Sequence, residues 1–179
     1  AGLVFPSLFE GVGIPVLAPA NVQEYLDFGL HGFAMSRYSG CWIGFKCVTD
    51  VVEGSASIDI DPARVRIELP TDFSMPEGGL NIRWPEFLGF IEQEQRLYHH
   101  KLFAVMAYAR ANGLNQTVWS TPNARLGIVT TGKAYNDVRQ ALEDLGIDEA
   151  EAARIGIKLF KVDMPWPLEP QRIAGFCRG

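Results

Sequence analysis

Residues 21–53, NVQEYLDFGLHGFAMSRYSGCWIGFKCVTDVVE, constrain the fold more than any other stretch of this chain. Asn21 precedes an apolar-periodic run and Glu24 follows three residues later. This is the spacing at which an asparagine side chain accepts from a free first-turn amide while the glutamate reaches back, so a helix starts near Val22. Apolar residues at Val22, Tyr25, Leu26, Leu30, Phe33 and Ala34 predict its buried face, and Gly29 and Gly32 allow close packing. Ser36–Gly40 reads as a turn. Cys41–Val52 is apolar at successive positions, which predicts a central strand covered on both sides. With the short apolar run Gly13–Leu17 ahead of it, the segment reads as a βαβ unit.

The chain then changes character. Ser57–Ile60 and Arg64–Leu69 alternate charged and apolar residues about Asp61-Pro62-Ala63, the pattern of a half-exposed hairpin. Pro70–Pro85, with its prolines and Gly78-Gly79, reads as a linker. Helical spacing returns over Glu92–Asn112 and stops at Asn112-Gly113. Beyond it come strands at Thr117–Ser120 and Leu126–Thr131, a helix over Ala134–Leu145 and a brief helix capped by Asp148. A strand at Lys158–Asp163 and a helix started after Pro170 complete the order. Strand and helix alternate, so the expected class is α/β: two partial three-layer units with mainly parallel sheets. A cleft is expected at the strand C-termini, near Thr131, Gly132, Lys133 and Trp166.

The hydrophobic share of 47% in 179 residues is enough to bury a core and argues against disorder. A net charge of −5 with no run of Lys or Arg argues against nucleic-acid and anionic-membrane partners. No stretch reaches the roughly 20 apolar residues of a membrane-spanning helix, and AGLVFPSLFEGVG lacks a basic region ahead of its apolar residues, so a cytoplasmic setting is expected. Cys41, Cys47 and Cys177 form no C-x-x-C pair and read as reduced thiols rather than a disulfide, zinc or iron–sulfur site. The chain opens at Ala1 without methionine and stops inside a newly started helix, which suggests a piece of a longer polypeptide.

Few side chains point to chemistry. Lys46, set in an apolar run, must snorkel, pair with Asp50 or Glu53, or face a polar cleft. Thr131-Gly132-Lys133 echoes the end of a phosphate-binding loop, with Gly127 five residues ahead of Gly132. The residues between are strand-like, however, and Ala134 stands where a hydroxyl is needed, so the bland reading is a tight helix start with a solvated Lys133. His31 reads as a packing histidine, and adjacent His99 and His100 point different ways on a helix and cannot chelate one metal from one face. Trp42, Trp84, Trp119 and Trp166 read as packing anchors.

The string over residues 21–53, followed by GGLNIRWP, LGIVTTGKAYNDVRQALEDLGID and KLFKVDMPWPLEP, resembles the indolepyruvate ferredoxin oxidoreductase family. The likeness runs from Pro15 to the end in the right order. It implies a thiamine diphosphate dependent enzyme that oxidatively decarboxylates an aryl 2-oxoacid such as indolepyruvate. Electrons would pass through iron–sulfur clusters to ferredoxin, and an acyl-CoA would form. The resemblance places residues 1–69 in the later part of a pyrimidine-side thiamine-binding domain, 70–96 in a linker and 97–179 in an incomplete transketolase C-terminal-like domain. Magnesium, thiamine diphosphate and the clusters would belong to the full-length enzyme, with none held by this chain alone, which would be inactive. Partners would be the enzyme's remaining domains, ferredoxin, CoA and a second copy. Lys46, Asp50, Gly132 and Lys133 occupy family-like positions and are the candidate cofactor-side residues; no catalytic residue or metal ligand is assigned. The competing expectation is a noncatalytic α/β module that scaffolds or binds a small ligand.

Overall fold

The computed structural model describes residues 4–82 and 89–178. Helix α1 (Val4–Gly11) leads to strand β1 (Val16–Leu17), helix α2 (Val22–Ser39), strand β2 (Gly44–Phe45) and the short helix α3 (Thr49–Val52). After a segment with no helix or strand among its described residues come α4 (Phe90–Arg96), a π-helical turn (Leu97–Lys101) and α5 (Leu102–Ala111). The remainder is β3 (Gln116–Trp119), β4 (Leu126–Thr131), α6 (Lys133–Asp144), α7 (Glu149–Ile155), β5 (Ile157–Val162) and α8 (Pro170–Arg178). The class is α/β.

The first helix of the βαβ unit forms as its cap dictates. The Asn21 side chain accepts from the Glu24 amide at 3.0 Å, and the Glu24 carboxylate reaches back to the Ala20 amide at 2.8 Å. At the other end Gly40 takes a left-handed conformation, φ 70°, and donates to the Ser36 carbonyl. The buried face, however, is not the predicted one. Phe28, Gly32, Met35 and Ser39 are buried, whereas Leu26, Leu30 and Phe33 are exposed, Phe33 by 71%. The stripe through Phe28 and Met35 packs against α5, where Val105, Tyr108 and Ala109 complete the core with Leu17, Cys41, Leu114 and Met164. A helix with apolar residues on two stripes can be oriented only by its partner, and that partner lies about seventy residues downstream in the chain.

The predicted strand over Cys41–Val52 shortens to Gly44–Phe45, with Thr49–Val52 helical and Trp42 81% exposed. Its neighbour limits it. β1 pairs in parallel at only two positions, Val16 with Gly44 and Leu17 with Phe45, because Pro15 and Pro19 bracket it and neither has an amide to donate. The other side of β1 is taken by the chain leaving β5: the Val16 amide donates to the Trp166 carbonyl at 2.7 Å and the Ala18 amide to that of Asp163 at 2.8 Å.

The hairpin expected at residues 57–69 is absent; both arms run without strand partners. The chain does turn there, with the Arg64 amide donating to the Asp61 carbonyl at 3.1 Å. Two-residue hairpins, however, need positive φ at their first loop position, and Pro62 holds φ near −65°, so the arms splay. Each arm is clamped instead by a side-chain amide. The Asp59 amide donates to Gln23 Oε1 at 2.6 Å and Gln23 Nε2 to the Asp59 carbonyl at 3.1 Å, and Asn112 at the end of α5 holds Glu68 in the same way, at 2.9 and 2.8 Å.

The second sheet has order β3-β5-β4 and is mixed, not parallel throughout: β4 pairs with β5 in parallel over six positions, while β3 is antiparallel to β5. Chain length decides this. The β3–β4 connection is only Ser120–Arg125, and a parallel crossover needs a dozen or more residues, whereas α6 and α7 supply that length between β4 and β5. Alternate residues of β5 face opposite layers: Leu159 packs with Trp119, Leu142 and Ala152, and Phe160 and Val162 pack with Phe176 of α8. Helices therefore cover both faces. Trp119 is an anchor as expected, Trp166 is half-buried, and Trp84 lies outside the described residues.

Candidate functional site at the strand C-termini

Four strand ends meet in one place. Beyond β1, Ala18–Ala20 are buried and lead straight into the α2 cap. Beyond β2, the Lys46 amide donates to the Leu17 carbonyl at 2.8 Å, which sets Lys46 alongside this loop. Beyond β4, Gly132 (φ 53°, ψ −140°) turns the chain into α6 beside Ala18 and Pro19. Its positive φ explains the glycine, since a side chain there would be strained. Asn136 in the first turn of α6 donates to the Ala20 carbonyl at 2.7 Å and fixes the two loops to each other.

Lys133 and Asp50, apart in sequence, are brought together. The Lys133 ammonium pairs with Asp137 at 2.7 Å, and its pKa is raised first by that bond, with Asp50 adding a smaller attraction. The Lys133 side chain is partly exposed, as expected of a residue opening a helix. Lys46 is half-buried, and among the described residues neither Asp50 nor Glu53 lies within ion-pair distance of it. Of the three expectations for Lys46, pairing with Asp50 or Glu53 is therefore not the one the structure adopts.

Beneath the rim lies a charged group that the sequence reading passed over. Lys161 on β5 is buried; its ammonium pairs with Glu24 of α2 and, at 2.8 Å, with Asp163. The rings of Tyr135 and Phe28 flank it, with centroids at 5.1 and 5.5 Å. Burial opposes the charge on Lys161, yet the two carboxylates outweigh it and its pKa is raised. Burial also pushes the Asp163 carboxyl up to about 6, against the pull of Lys161. Asn115, with φ 70°, closes the floor: its side chain accepts from the Asp163 and Met164 amides at 2.9 and 2.8 Å and donates to the Met164 carbonyl at 3.0 Å. A usable signal was present in the sequence. In KLFKVD, Lys158 and Lys161 fall on opposite faces of a strand covered on both sides, so each needs a buried partner. Lys158 finds the Phe176 carbonyl and ring.

The other histidines lie elsewhere. His31 Nδ1 is 3.1 Å from the Tyr108 hydroxyl, and burial lowers its pKa. His99 and His100 line an open pocket of about 330 Å³ with Glu77, Glu92 and Arg96. A second pocket of about 340 Å³ runs along α2, floored by Gly29 and Gly32 between Tyr25, Phe33 and Phe45. Both are lined by residues other than the strand-end cluster. No helix of the described residues is long and apolar enough to cross a membrane.

Comparison with known proteins adds the context. Residues 115–179 match the family described as indolepyruvate ferredoxin oxidoreductase middle domain. The match thus begins at Asn115, the residue that floors the charged group. Across 170 residues the chain is 28% identical to the indolepyruvate oxidoreductase subunit IorA of Methanothermobacter thermautotrophicus, covering 93% of this chain and 25% of that protein. It is 24% identical to the Methanothermobacter marburgensis subunit over the same shares. Identity to the Pyrococcus abyssi subunit is 27% over 177 residues, covering 93% of this chain and 24% of that protein. The chain spans about a quarter of the length of the curated relatives it matches.

Proposed function

We propose that this chain, whose residues 115–179 match the indolepyruvate ferredoxin oxidoreductase middle domain, serves as an internal part of such an oxidoreductase. The reaction of the whole enzyme is then oxidative decarboxylation of an aryl 2-oxoacid such as indolepyruvate, with ferredoxin as electron acceptor and an acyl-CoA as product. The observation that supports it is the collinear match of 93% of the chain to three oxidoreductase subunits. In this reading residues 1–69 are the later part of the pyrimidine-side domain and residues 97–179 are transketolase C-terminal-like.

The groups such an enzyme uses would be held by other parts of it. Among the described residues no three His, Cys, Asp or Glu side chains gather as a metal-ligand set. Cys41 is buried while Cys47 and Cys177 are exposed on separate elements. These described residues do not fit a magnesium or iron–sulfur site. The contribution of this chain is positional: Lys46, Asp50 and Lys133, the last set by the turn at the buried Gly132, are partly or fully exposed at the strand ends, where a charged cofactor or a neighbouring domain would meet them.

Two measurements test the proposal. The longer protein containing this sequence, assayed in the cytoplasmic fraction, should reduce ferredoxin with indolepyruvate in a CoA-dependent way; failure with every aryl 2-oxoacid tried would overturn the reading. The 179-residue chain alone should show no submicromolar binding of thiamine diphosphate by titration calorimetry and no turnover; tight binding would overturn the assignment of the cofactor to other parts of the enzyme.

A further inference from the structure

Helix α2 carries two apolar stripes, and the described residues bury one of them. Phe28 and Met35 turn towards α5 and the core. Roughly a third of a turn away round the helix, Val22, Leu26, Gly29, Phe33 and Ser36 recur at alternating steps of four and three residues. That is the spacing of a seam that receives a second helix. All five are exposed or half-buried, Leu26 by 39% and Phe33 by 71%, and Leu30 beside them is exposed by 47%.

Gly29 is the member of this stripe that its own chain does not explain. It lies inside α2 with no positive φ to maintain, and a Cβ there would meet no heavy atom within 4 Å. Gly32 differs: its Cβ would touch Leu17 at 3.6 Å and Ile43 at 3.8 Å, so close packing within the chain accounts for it. Glycine inside a helix is less stable than alanine, so an unforced glycine in a helix of 18 residues answers to something outside these residues. Gly29 also lines the pocket of about 340 Å³ with Tyr25, Phe33 and Phe45. A missing side chain among large apolar ones is a hole of the kind that takes a knob from a facing helix.

We infer that the outer stripe of α2 is the seat of a helix from the same longer polypeptide, outside residues 1–179, which lies along α2 and sets an apolar side chain into the hole at Gly29. This rests on the reading of the chain as an internal part of an oxidoreductase. The relatives supply the length, since the chain covers only 24–25% of theirs. A helix suits the seat because it satisfies its own backbone. An extended segment would bring N–H and C=O groups that need partners, and of the five stripe residues only Ser36 has a side chain that could bond to them. The inference also accounts for the sequence pattern: periodicity picks the outer stripe as a buried face because in the whole protein both stripes are covered.

The test is a cross-link in the longer protein that contains this sequence. Phe33→p-benzoylphenylalanine, irradiated, should join a peptide of the same chain outside residues 1–179 that has helical apolar spacing, and the product should keep the mass of one polypeptide on a denaturing gel. Gly29→Leu should cut the yield about tenfold or more, because a filled hole rejects the knob. The same change in the 179-residue chain should leave the melting temperature no lower than the parent's, which separates loss of docking from loss of fold. A cross-link confined to residues 1–179, a product of doubled mass, a link to a different polypeptide or no link at all would overturn the inference. So would a yield indifferent to Gly29→Leu, or a 179-residue Gly29→Leu chain that melts below the parent. None of these readouts depends on turnover, so a protein that cross-links as expected but fails to reduce ferredoxin would sink the oxidoreductase reading and leave the helix seat standing.

Discussion

Asn115 holds more of the structure than its size suggests. It supplies three hydrogen bonds to the chain leaving β5 and adopts a positive φ that asparagine tolerates better than most residues. Asn115→Ala leaves two buried amides and a buried carbonyl without partners, and should cost about 3 kcal/mol or more in a urea melt. Asn115→Gly, which relieves only the backbone, should recover a small part of that loss. Asp163 next door carries a pH signature. Its folded pKa of about 6 lies above the ordinary 3.8, so the folded state binds the proton more tightly than the unfolded chain. The carboxyl therefore lowers stability as pH rises from about 4 to about 6, and the penalty is constant above that. Lys161, whose pKa is raised, keeps its contribution throughout this window and loses it only in strong alkali. Urea midpoints taken across the window should fall with pH in the parent and flatten in Asp163→Asn; equal slopes in the two proteins would contradict the burial of this charge.

At the level of elements, α2 separates what is legible in a sequence from what is not. Its start, its cap and its stop are local: Asn21, Glu24 and Gly40 act on backbone groups within four residues and could be read directly. Its buried face is not local, because two apolar stripes compete and α5 selects the one through Phe28 and Met35. Met35→Ala should therefore cost about 2–5 kcal/mol, while Phe33→Ala, on the stripe the periodicity favoured, should cost well under half as much. Comparable losses in thermal melts would reverse the orientation assigned here. The same division runs through the strands. β4, β5, α6 and α7 fall where their patterns place them, whereas β2 is cut short by prolines in another strand and the hairpin fails on the geometry of one proline. At the candidate site, glycine at 132 and the helix behind it were legible. The proximity of Asp50 to Lys133 and the Glu24–Lys161–Asp163 group were not, because each pairs residues from distant elements.

For the whole molecule, the sequence suggests two successive α/β units, but the structure fastens them. β1 hydrogen-bonds to the chain beyond β5, Glu24 pairs with Lys161, and one core cluster contains both Leu17 and Met164. Units that share a core and a charged pair should melt together. Scanning calorimetry should give one transition with calorimetric and van't Hoff enthalpies in agreement; two resolved transitions would show that the junction is weaker than its contacts imply.

The amide clamps at Gln23 and Asn112 bear on how this molecule can change. A strand held by a ladder is locked residue by residue, and a single insertion turns every side chain to the wrong face. Here the chain is hung from two pegs, at Asp59 and Glu68, and the span between them answers to no ladder of its own. Residues can be added or lost around Pro62 at the cost of the Arg64–Asp27 pair while both clamps keep their grip, so this is where descendants of the sequence are free to differ in length.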